Sequence, residues 1–388
     1  MLNEGGSARA GAYGPEAVIV MDVGARGSTG GAHSGDRDLT RVRRSGRVVR
    51  GGLAFLLVWC LLGVVPGAAW AGHVQSRFVG PDPPEPEWET FVSPQVSGAN
   101  VAYQLHYPDD PAGAGVWAIG GGLPVAWDLV KYADHFDYSG SLVAYGSHND
   151  IYVTDGVASY PVCVCTGAAI SPRIDGLTVV WQDDRGGTWD IYAATLDPAT
   201  YAVTAETAVC TAPGRQSKPD IGGDWVVWQD KRDGRFDIYG RRLSGGGVKA
   251  LCLNSEAQDS PRTDGDWVVW TDWRNGGFSS DIYGRRFGSP VRPICHAAKK
   301  QYEPDVSSGF VVWTDYRSTR SRGGFERPVP TSIRGYETSS KDRFVVADAL
   351  GMEARPDMDG LTVVWLRYSF EHRDQPWWGH IRGAVLQH

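Results

Sequence analysis

The chain has 388 residues, enough for one large domain or two ordinary ones. Its 50 glycines, 23 prolines and 16 tryptophans, against only 4 methionines, are typical of a β-rich globular protein. The formal net charge of −7 argues against a polyanion-binding protein, so we expect no nucleic acid partner.

The N-terminal region has the order of an export signal. A basic stretch, RVRRSGRVVR at 41–50, precedes the apolar run LAFLLVWCLLGVV at 53–65, and Ala69 and Ala71 form an Ala-x-Ala cleavage site. We predict a leader at 1–46, disordered or arising from a misplaced start codon, a signal peptide at 47–71 and a single domain at 72–388. The apolar run is too short for a comfortable membrane span. The prediction is therefore a secreted or periplasmic protein without membrane insertion after cleavage.

A repeat of roughly 40–50 residues occupies the rest of the chain. It is marked by the tripeptide VAY in the first two units and VVW in the other five. The aromatic residue of this tripeptide recurs seven times, at Tyr103, Tyr145, Trp181, Trp228, Trp270, Trp313 and Trp365. The fourth unit divides into four short strand-like segments, KPDIGG, DWVVWQD, DIYGRRL and GVKALCL, separated by turn residues.

Four strands per unit without a helical period predict an all-β, seven-bladed β-propeller of four-stranded antiparallel blades. Six blades are the alternative, if one weak unit belongs elsewhere. The last unit ends after its third strand, whereas HVQSRFVG at 73–80 is a spare strand-like segment. Pairing the two would close the ring and cover two open sheet edges.

The turn between the second and third strands repeats an Asp-x-Arg pattern. Its residues are Asp183, Arg185, Asp190, Asp230, Arg232, Asp237, Asp272, Arg274, Asp281 and Asp315. Aspartates accept hydrogen bonds from turn amides, and the arginine two residues later can pair with a nearby carboxylate. Calcium is the rival interpretation, but an arginine within the turn would repel a cation and the spacing is not that of a calcium loop. We predict a structural role.

These units resemble the repeats of TolB-like β-propellers, in which a strand ending in Asp-x-Arg-x-Gly precedes Asp-Ile-Tyr. The segments VVWQDDRGGTWDIYAATL at 179–196 and VVWQDKRDGRFDIYGRRL at 226–243 carry the resemblance. It implies an exported propeller that acts as a protein-binding platform without a cofactor. TolB itself has six blades and an additional N-terminal domain, so the resemblance does not extend to a function in the TolB envelope complex.

A second series of polar residues lies on the first strand of each unit. Its members are Gln95, Asp137, Arg173, Asp220, Arg262, Asp305 and Asp357. Because the first strand is innermost in a propeller, we expect this inner ring to surround the axial channel. The charge alternates from Arg173 to Asp305, which favours ion pairs between neighbouring blades. A ligand-reading channel is the alternative.

Five cysteines follow the predicted cleavage site. Cys165, Cys210, Cys252 and Cys295 are each assigned to the end of an outermost strand, and equivalent positions on adjacent blades should lie beyond the ~7 Å Cα limit for a disulfide. Cys163 and Cys165 are expected to point in opposite or strained directions. We therefore predict mostly unpaired, half-buried thiols. The alternative is a redox or metal cluster. The spacing of the cysteines does not match that of known metal sites, so no metal is expected.

The turns between second and third strands emerge on the same side as the connections between blades; we call this side the loop-rich face. Long loops on a rigid scaffold are common binding sites. The candidate binding residues on them are Arg317, Arg320, Arg322, Arg327, Trp377 and Trp378. We predict an exported, non-catalytic platform for a protein or a cell-surface polymer. A polysaccharide lyase or glycosidase is the alternative, with Asp137 and Asp357 as the carboxylate pair; a structural component without a small ligand is a third possibility.

Overall fold

The computed structural model describes residues 74–79, 90–98, 100–106, 114–119, 135–276, 279–316, 331–348, 352–369 and 378–388. These residues belong to one compact unit that includes His73–His388. The predicted leader and signal peptide lie outside the described residues. Within the described part, no helix is long and apolar enough to cross a membrane.

The described chain forms 27 strands in seven antiparallel sheets, which we number as blades 1 to 7. Blade 1 contains β2 (Thr90–Ser97), β3 (Asn100–His106) and β4 (Ala114–Ile119). Blade 2 contains β5 (His135–Ser139), β6 (Leu142–Ser147), β7 (Asp150–Thr154) and β8 (Ser159–Cys163). Blade 3 contains β9 (Ala169–Asp175), β10 (Thr178–Asp183), β11 (Asp190–Leu196) and β12 (Val203–Cys210).

The remaining blades repeat this order. Blade 4 contains β13 (Gln216–Gly222), β14 (Trp225–Asp230), β15 (Asp237–Arg242) and β16 (Lys249–Cys252). Blade 5 contains β17 (Gln258–Thr263), β18 (Trp267–Asp272), β19 (Asp281–Arg286) and β20 (Arg292–Cys295). Blade 6 contains β21 (Gln301–Ser307), β22 (Phe310–Tyr316), β23 (Thr331–Glu337) and β24 (Arg343–Ala347). Blade 7 contains β25 (Met352–Asp359), β26 (Thr362–Ser369), β27 (Trp378–Leu386) and, from the other end of the chain, β1 (Val74–Val79).

The ring closes where the two ends of the domain meet. Strand β1 pairs antiparallel with β27, with Val74 opposite Leu386 and Phe78 opposite Gly383. The first strands of neighbouring blades contact one another all the way round, in the order β2, β5, β9, β13, β17, β21, β25 and back to β2. The predicted seven-bladed propeller closed by an N-terminal strand is therefore confirmed, and the six-bladed alternative is wrong.

Both faces of each middle strand are buried between blades, which explains why VVW replaces a polar–apolar alternation. On β14, Val226 and Trp228 pack against blade 3, whereas Val227 packs against blade 5. The fully buried side chains include the repeat tryptophans of blades 3 to 6, Trp181, Trp228, Trp270 and Trp313. Replacing one of these tryptophans by alanine should lower the free energy of unfolding by about 3–5 kcal/mol, as is usual for large core aromatics.

The first strand of most blades contains a bulge that the sequence patterns did not predict. The residue at the bulge has a positive φ of 50–56° and precedes a proline in five blades, at Ser171, Lys218, Ser260, Glu303 and Arg355. The pairing with the second strand shifts register at this point. In blade 2, where Phe136 stands in place of the proline, the register is continuous. The bulge bends the inner strand just before its inner-ring residue.

Strand β1 supplies the fourth strand of blade 7, so its removal should open that blade. We expect a mature chain that lacks residues 72–79 to unfold roughly 3–5 °C lower, the shift that a loss of about 2–3 kcal/mol produces in a domain of this size. Appending residues 73–80 after His388 through a short glycine-containing turn should restore the midpoint, because Val74 lies opposite Leu386. Calorimetry measures both midpoints. A deletion that leaves the midpoint unchanged would show that β1 does not stabilise blade 7.

Candidate functional site

Four carboxylates of the inner ring hold the next blade by its backbone. Each accepts a hydrogen bond from an amide on the first strand of the following blade, at O···N distances of 2.7–2.8 Å. The pairs are Asp137 with Ile174, Asp220 with Thr263, Asp305 with Met358 and Asp357 with Val96. All four aspartates are buried. The blades are thus joined by side chain to backbone bonds, which charge alternation did not predict.

The two arginines of the inner ring behave differently. Arg173 forms ion pairs with Asp137 at 3.1 Å and Asp220 at 2.8 Å, and its Nη1 donates to Gln95 Oε1 at 3.4 Å. It therefore links blade 3 to blades 1, 2 and 4. Arg262 donates only to the carbonyl of Pro261 and has no carboxylate within 4 Å among the described residues. The alternating charges do not form a continuous series of ion pairs.

A second set of polar side chains lies two residues further along the first strands, and sequence reasoning missed it. Five of its members accept the amide of a turn glycine in the next blade. These acceptors are Ser97, Ser139, Asp175, Ser307 and Asp359. In blade 4 the position is Gly222, where a Cβ would lie 2.5 Å from the amide of Gly265, so this junction requires glycine. The signal in the sequence was a Ser, Asp or Gly directly before a turn glycine, except at Ser307, which Ser308 separates from Gly309.

The two sets line a cavity of about 210 Å³ on the axis, opposite the loop-rich face. Burial raises the pKa of Asp305 to about 7, and it raises the pKa of Asp357 well above the usual range. Burial also raises the pKa of Asp137, although Arg173 opposes that shift. Burial opposes the shift, but the negative charges of the inner-ring aspartates, Asp137 first among them, raise the pKa of Arg173. The side of the ring near Asp305 and Asp357 thus retains carboxylates without an ion pair within 4 Å in the described structure.

The Asp-x-Arg turns are anchored by a unit of four side chains. In blade 4, Asp230 accepts the indole N–H of Trp228 at 3.0 Å, the amide of Arg232 at 3.0 Å and its guanidinium. The guanidinium of Arg232 also lies 4.1 Å above the ring of Tyr239. Blades 3 and 5 repeat the unit with Trp181, Asp183, Arg185 and Tyr192, and with Trp270, Asp272, Arg274 and Tyr283. Asp183, Asp230 and Asp272 are completely buried.

The remaining turn aspartates hold other segments. Asp237 accepts the amide of Asn254, and Asp281 accepts that of Ala297, so each fixes the connection that follows the fourth strand. Asp190 on β11 lies opposite Asp183 on β10 in the strand pairing. Asp315 lies 3.5 Å from Arg334.

The structure corrects two cysteine assignments. Cys163, not Cys165, is the repeat equivalent of Cys210, Cys252 and Cys295, because each of these four lies opposite the isoleucine of the third strand. Cys163 and Cys165 form a disulfide, with Cα atoms 5.4 Å apart. Residues two apart in a strand lie on the same face, and Cys165 follows the end of β8 at Cys163, so the two side chains can meet. The pair was expected to be unpaired, and that expectation is wrong.

The sulfur atoms contact the turn units of the next blade. Arg185 Nη2 lies 3.1 Å from Cys163 Sγ, and Arg232 Nη2 lies 3.3 Å from Cys210 Sγ. Cys163, Cys165 and Asp183 also form a cluster compact enough for a metal ion. The disulfide and the adjacent guanidinium make this cluster unsuited to a cation.

Three aromatic–cation pairs lie on the loop-rich face, one each at the turns of blades 3, 4 and 5. Arg215 lies over Trp189 at 5.9 Å, Lys231 over Phe236 at 5.7 Å and Lys300 over Trp273 at 5.7 Å. The rings are half-buried. The candidate binding residues Arg317, Arg320, Arg322, Arg327 and Trp377 lie outside the described residues. Trp378 begins β27, and its side chain is not described.

No family model matches the chain, and no curated protein matches it. The propeller domain of the Trilobed protease from Pyrococcus furiosus matches 76% of this chain and 95% of its own, with a TM-score of 0.54 at 14% identity. The acylaminoacyl peptidase from Pyrococcus horikoshii matches 76% of this chain, with a TM-score of 0.53 at 12% identity. This chain is a β-propeller. It spans about half, 52%, of that peptidase.

TolB is also among the similar structures. TolB from Acinetobacter baumannii is 16% identical, with a TM-score of 0.41, over 77% of this chain and 79% of its own. The resemblance of the repeats to TolB-like propellers is accompanied by this distant structural match. Likeness of this degree concerns architecture alone.

The raised pKa of Asp305 predicts a pH-dependent effect of its removal. The folded chain holds this proton to about pH 7, whereas the ordinary value is 3.8. Ionisation of Asp305 therefore lowers the free energy of unfolding progressively between these two values. Asp305→Asn keeps an oxygen for the Met358 amide and removes the charge. We expect it to raise the unfolding midpoint slightly near pH 4 and most above about pH 7.

Asp220→Asn is the matched control, because Asp220 occupies the same position but pairs with Arg173 at 2.8 Å. This variant should lose stability at about pH 8, since it leaves Arg173 with one carboxylate fewer. Equal midpoints for Asp305→Asn and its parent across the whole pH range would show that Asp305 ionises normally.

The cysteine assignments predict a thiol count. Cys210, Cys252 and Cys295 are free and buried, and burial raises the pKa of Cys252 and Cys295 to about 12. We expect the native mature chain to react slowly with a thiol reagent at neutral pH, because the thiolate is the reactive form. Unfolding without a reductant should reveal three thiols, the number left by the disulfide. A count of five thiols would show that the disulfide is absent.

Proposed function

We propose that the chain is an exported, non-catalytic propeller that binds a protein or a cell-surface polymer through its loop-rich face. The observation that carries this proposal is the commitment of the axial carboxylates to the scaffold. Asp137, Asp220, Asp305 and Asp357 each use an oxygen to hold the next blade. Groups fixed in this way build a rigid frame, and rigid frames commonly present binding residues on their loops.

The same observation weighs against the enzymatic alternative. A glycosidase needs one carboxyl group free to donate a proton and a second free to act as nucleophile or base. Asp137 forms an ion pair with Arg173 and accepts the Ile174 amide, while Asp357 accepts the Val96 amide. Moving a proton or bond to either oxygen would weaken a contact between blades.

Export is the part of the proposal that rests on sequence. The basic run, the apolar run and the Ala-x-Ala site occur in the order of a secretory signal. Cleavage before Gly72 would leave two residues ahead of β1, so the processed chain would retain the strand that closes blade 7.

A binding and cleavage assay on the mature chain tests the proposal. The chain is presented to a panel of soluble polysaccharides in affinity electrophoresis, and to the extracellular fraction with a short cross-linker. We expect retention by a polymer or capture of a discrete partner, without new reducing ends. Replacing Arg317, Arg320, Arg322 and Arg327 by alanine should weaken binding about tenfold or more, equivalent to about 1.4 kcal/mol.

The matched control replaces Arg242 and Arg286, which are exposed on the opposite face beside Asp224 and Asp266. This variant should bind like the parent. Product formation that disappears in Asp137→Asn or Asp357→Asn would overturn the non-catalytic assignment.

A further inference from the structure

The three aromatic–cation pairs share a feature that distinguishes them from the other charged residues of the turns. Arg215, Lys231 and Lys300 have no carboxylate within 4 Å among the described residues. Arg185, Arg232 and Arg274, in the same turns, are paired with buried aspartates. The face therefore combines cations that serve the fold with cations whose charge is left for an external group.

Each pair offers two kinds of contact, an aromatic ring and a cation 5.7–5.9 Å from the ring centre. A half-buried aromatic ring gives a flat apolar surface whose position is fixed by its burial. The neighbouring cation gives a charged donor to a carboxylate, and lysine and arginine both serve this role. A sugar ring with a carboxylate substituent has the complementary features, an apolar face of C–H groups and an anionic edge. One pair therefore matches one acidic sugar.

The arrangement favours a linear polymer over a folded protein. Stable protein interfaces centre on a buried apolar cluster surrounded by polar residues. In the described part of the loop-rich face, the large apolar side chains that are exposed are Val164 and Leu253, which belong to different blades. The pairs occur at three successive blades instead. Weak sites repeated along one surface gain strength when a single chain spans them.

We propose that the pairs Trp189 with Arg215, Phe236 with Lys231 and Trp273 with Lys300 form a binding track for a carboxylate-bearing polysaccharide. This inference rests on the proposed function, because it names the polymer class for the same face. The net charge of −7 repels a polyanion at long range. Attraction therefore comes from these local contacts, and a uronate polymer suits them better than a densely charged nucleic acid.

A length series of one polymer tests the track. The probes are galacturonic acid, its oligomers of about three and about ten residues, polygalacturonate and its methyl ester, which lacks the charge. Affinity for the mature chain should rise about tenfold or more from the short oligomer to the long one, because only the longer chain spans several pairs. The methyl ester should bind at least about tenfold more weakly, because it cannot form the charge-assisted bonds.

Two variants locate the site. The triple change Arg215→Ala, Lys231→Ala and Lys300→Ala should abolish the length dependence while the thermal midpoint stays near that of the parent. The matched control is Arg242→Ala with Lys249→Ala, since these cations lie 5.2 and 5.6 Å from the ring of Trp225 on the opposite face. The control variant should bind the polymer like the parent.

The possible results separate this inference from the proposed function. Absence of polygalacturonate binding, together with a cross-linked protein partner, overturns the polysaccharide track and leaves the non-catalytic platform intact. Polymer binding that survives the triple change also overturns the track. Cleavage of the polymer overturns the platform, whatever the variants do to binding.

Discussion

The propeller depends on one recurring interaction, a backbone amide of one blade held by a side-chain acceptor of the blade before it. Apolar packing between blades is strong but non-directional, so it does not by itself fix how far one sheet turns relative to the next. A hydrogen bond at 2.7–2.8 Å does, as at Asp220 and Thr263. A buried amide left without an acceptor would cost about 1–3 kcal/mol. The same contact therefore satisfies the inner strand and sets the angle between blades.

This solution concentrates carboxylates on the axis, and the ring does not neutralise them evenly. Arg173 lies between Asp137 and Asp220 and offsets both, whereas Asp305 and Asp357 have no ion pair within 4 Å in the described structure. Burial raises the pKa of both carboxyl groups, and the more distant arginines and the backbone hydrogen bonds offset this effect only in part. The buried carboxyl groups whose ionisation is unfavourable and not offset by an ion pair thus lie in blades 6 and 7. Strand β1 adds backbone pairing to blade 7, one of these two blades.

The repeats were sufficient to predict blade number, closure and burial of the tryptophans, because each follows from counting a local pattern. Features that depend on a one-residue register were not predictable in this way. The choice between Cys163 and Cys165 required the strand pairing with Ile151, which the alternating Cys-Val-Cys sequence conceals. The acceptors such as Ser139 were visible as residues before a turn glycine, but their partner lies in the next blade. The aromatic–cation pairs join different segments and needed the tertiary structure.

The turns explain how a repeated scaffold can carry a specific surface. In the Asp-x-Arg turns of blades 3 to 5 the aspartate and arginine are held by the repeat tryptophan and the tyrosine of the third strand, as in blade 4. The residue between them differs from blade to blade, as Asp184, Lys231 and Trp273. Asp184 accepts the amide of Ala168, and Trp273 donates its indole N–H to Asp259. Because its backbone is already ordered, a side chain there loses less conformational entropy on binding than one in a mobile loop. Changes at this position, as at Lys231 and Trp273, can therefore alter the binding surface while the Asp and Arg of the repeat keep the turn in place. The other members of the proposed track, such as Trp189 and Arg215, lie beside these fixed turns and can vary in the same way.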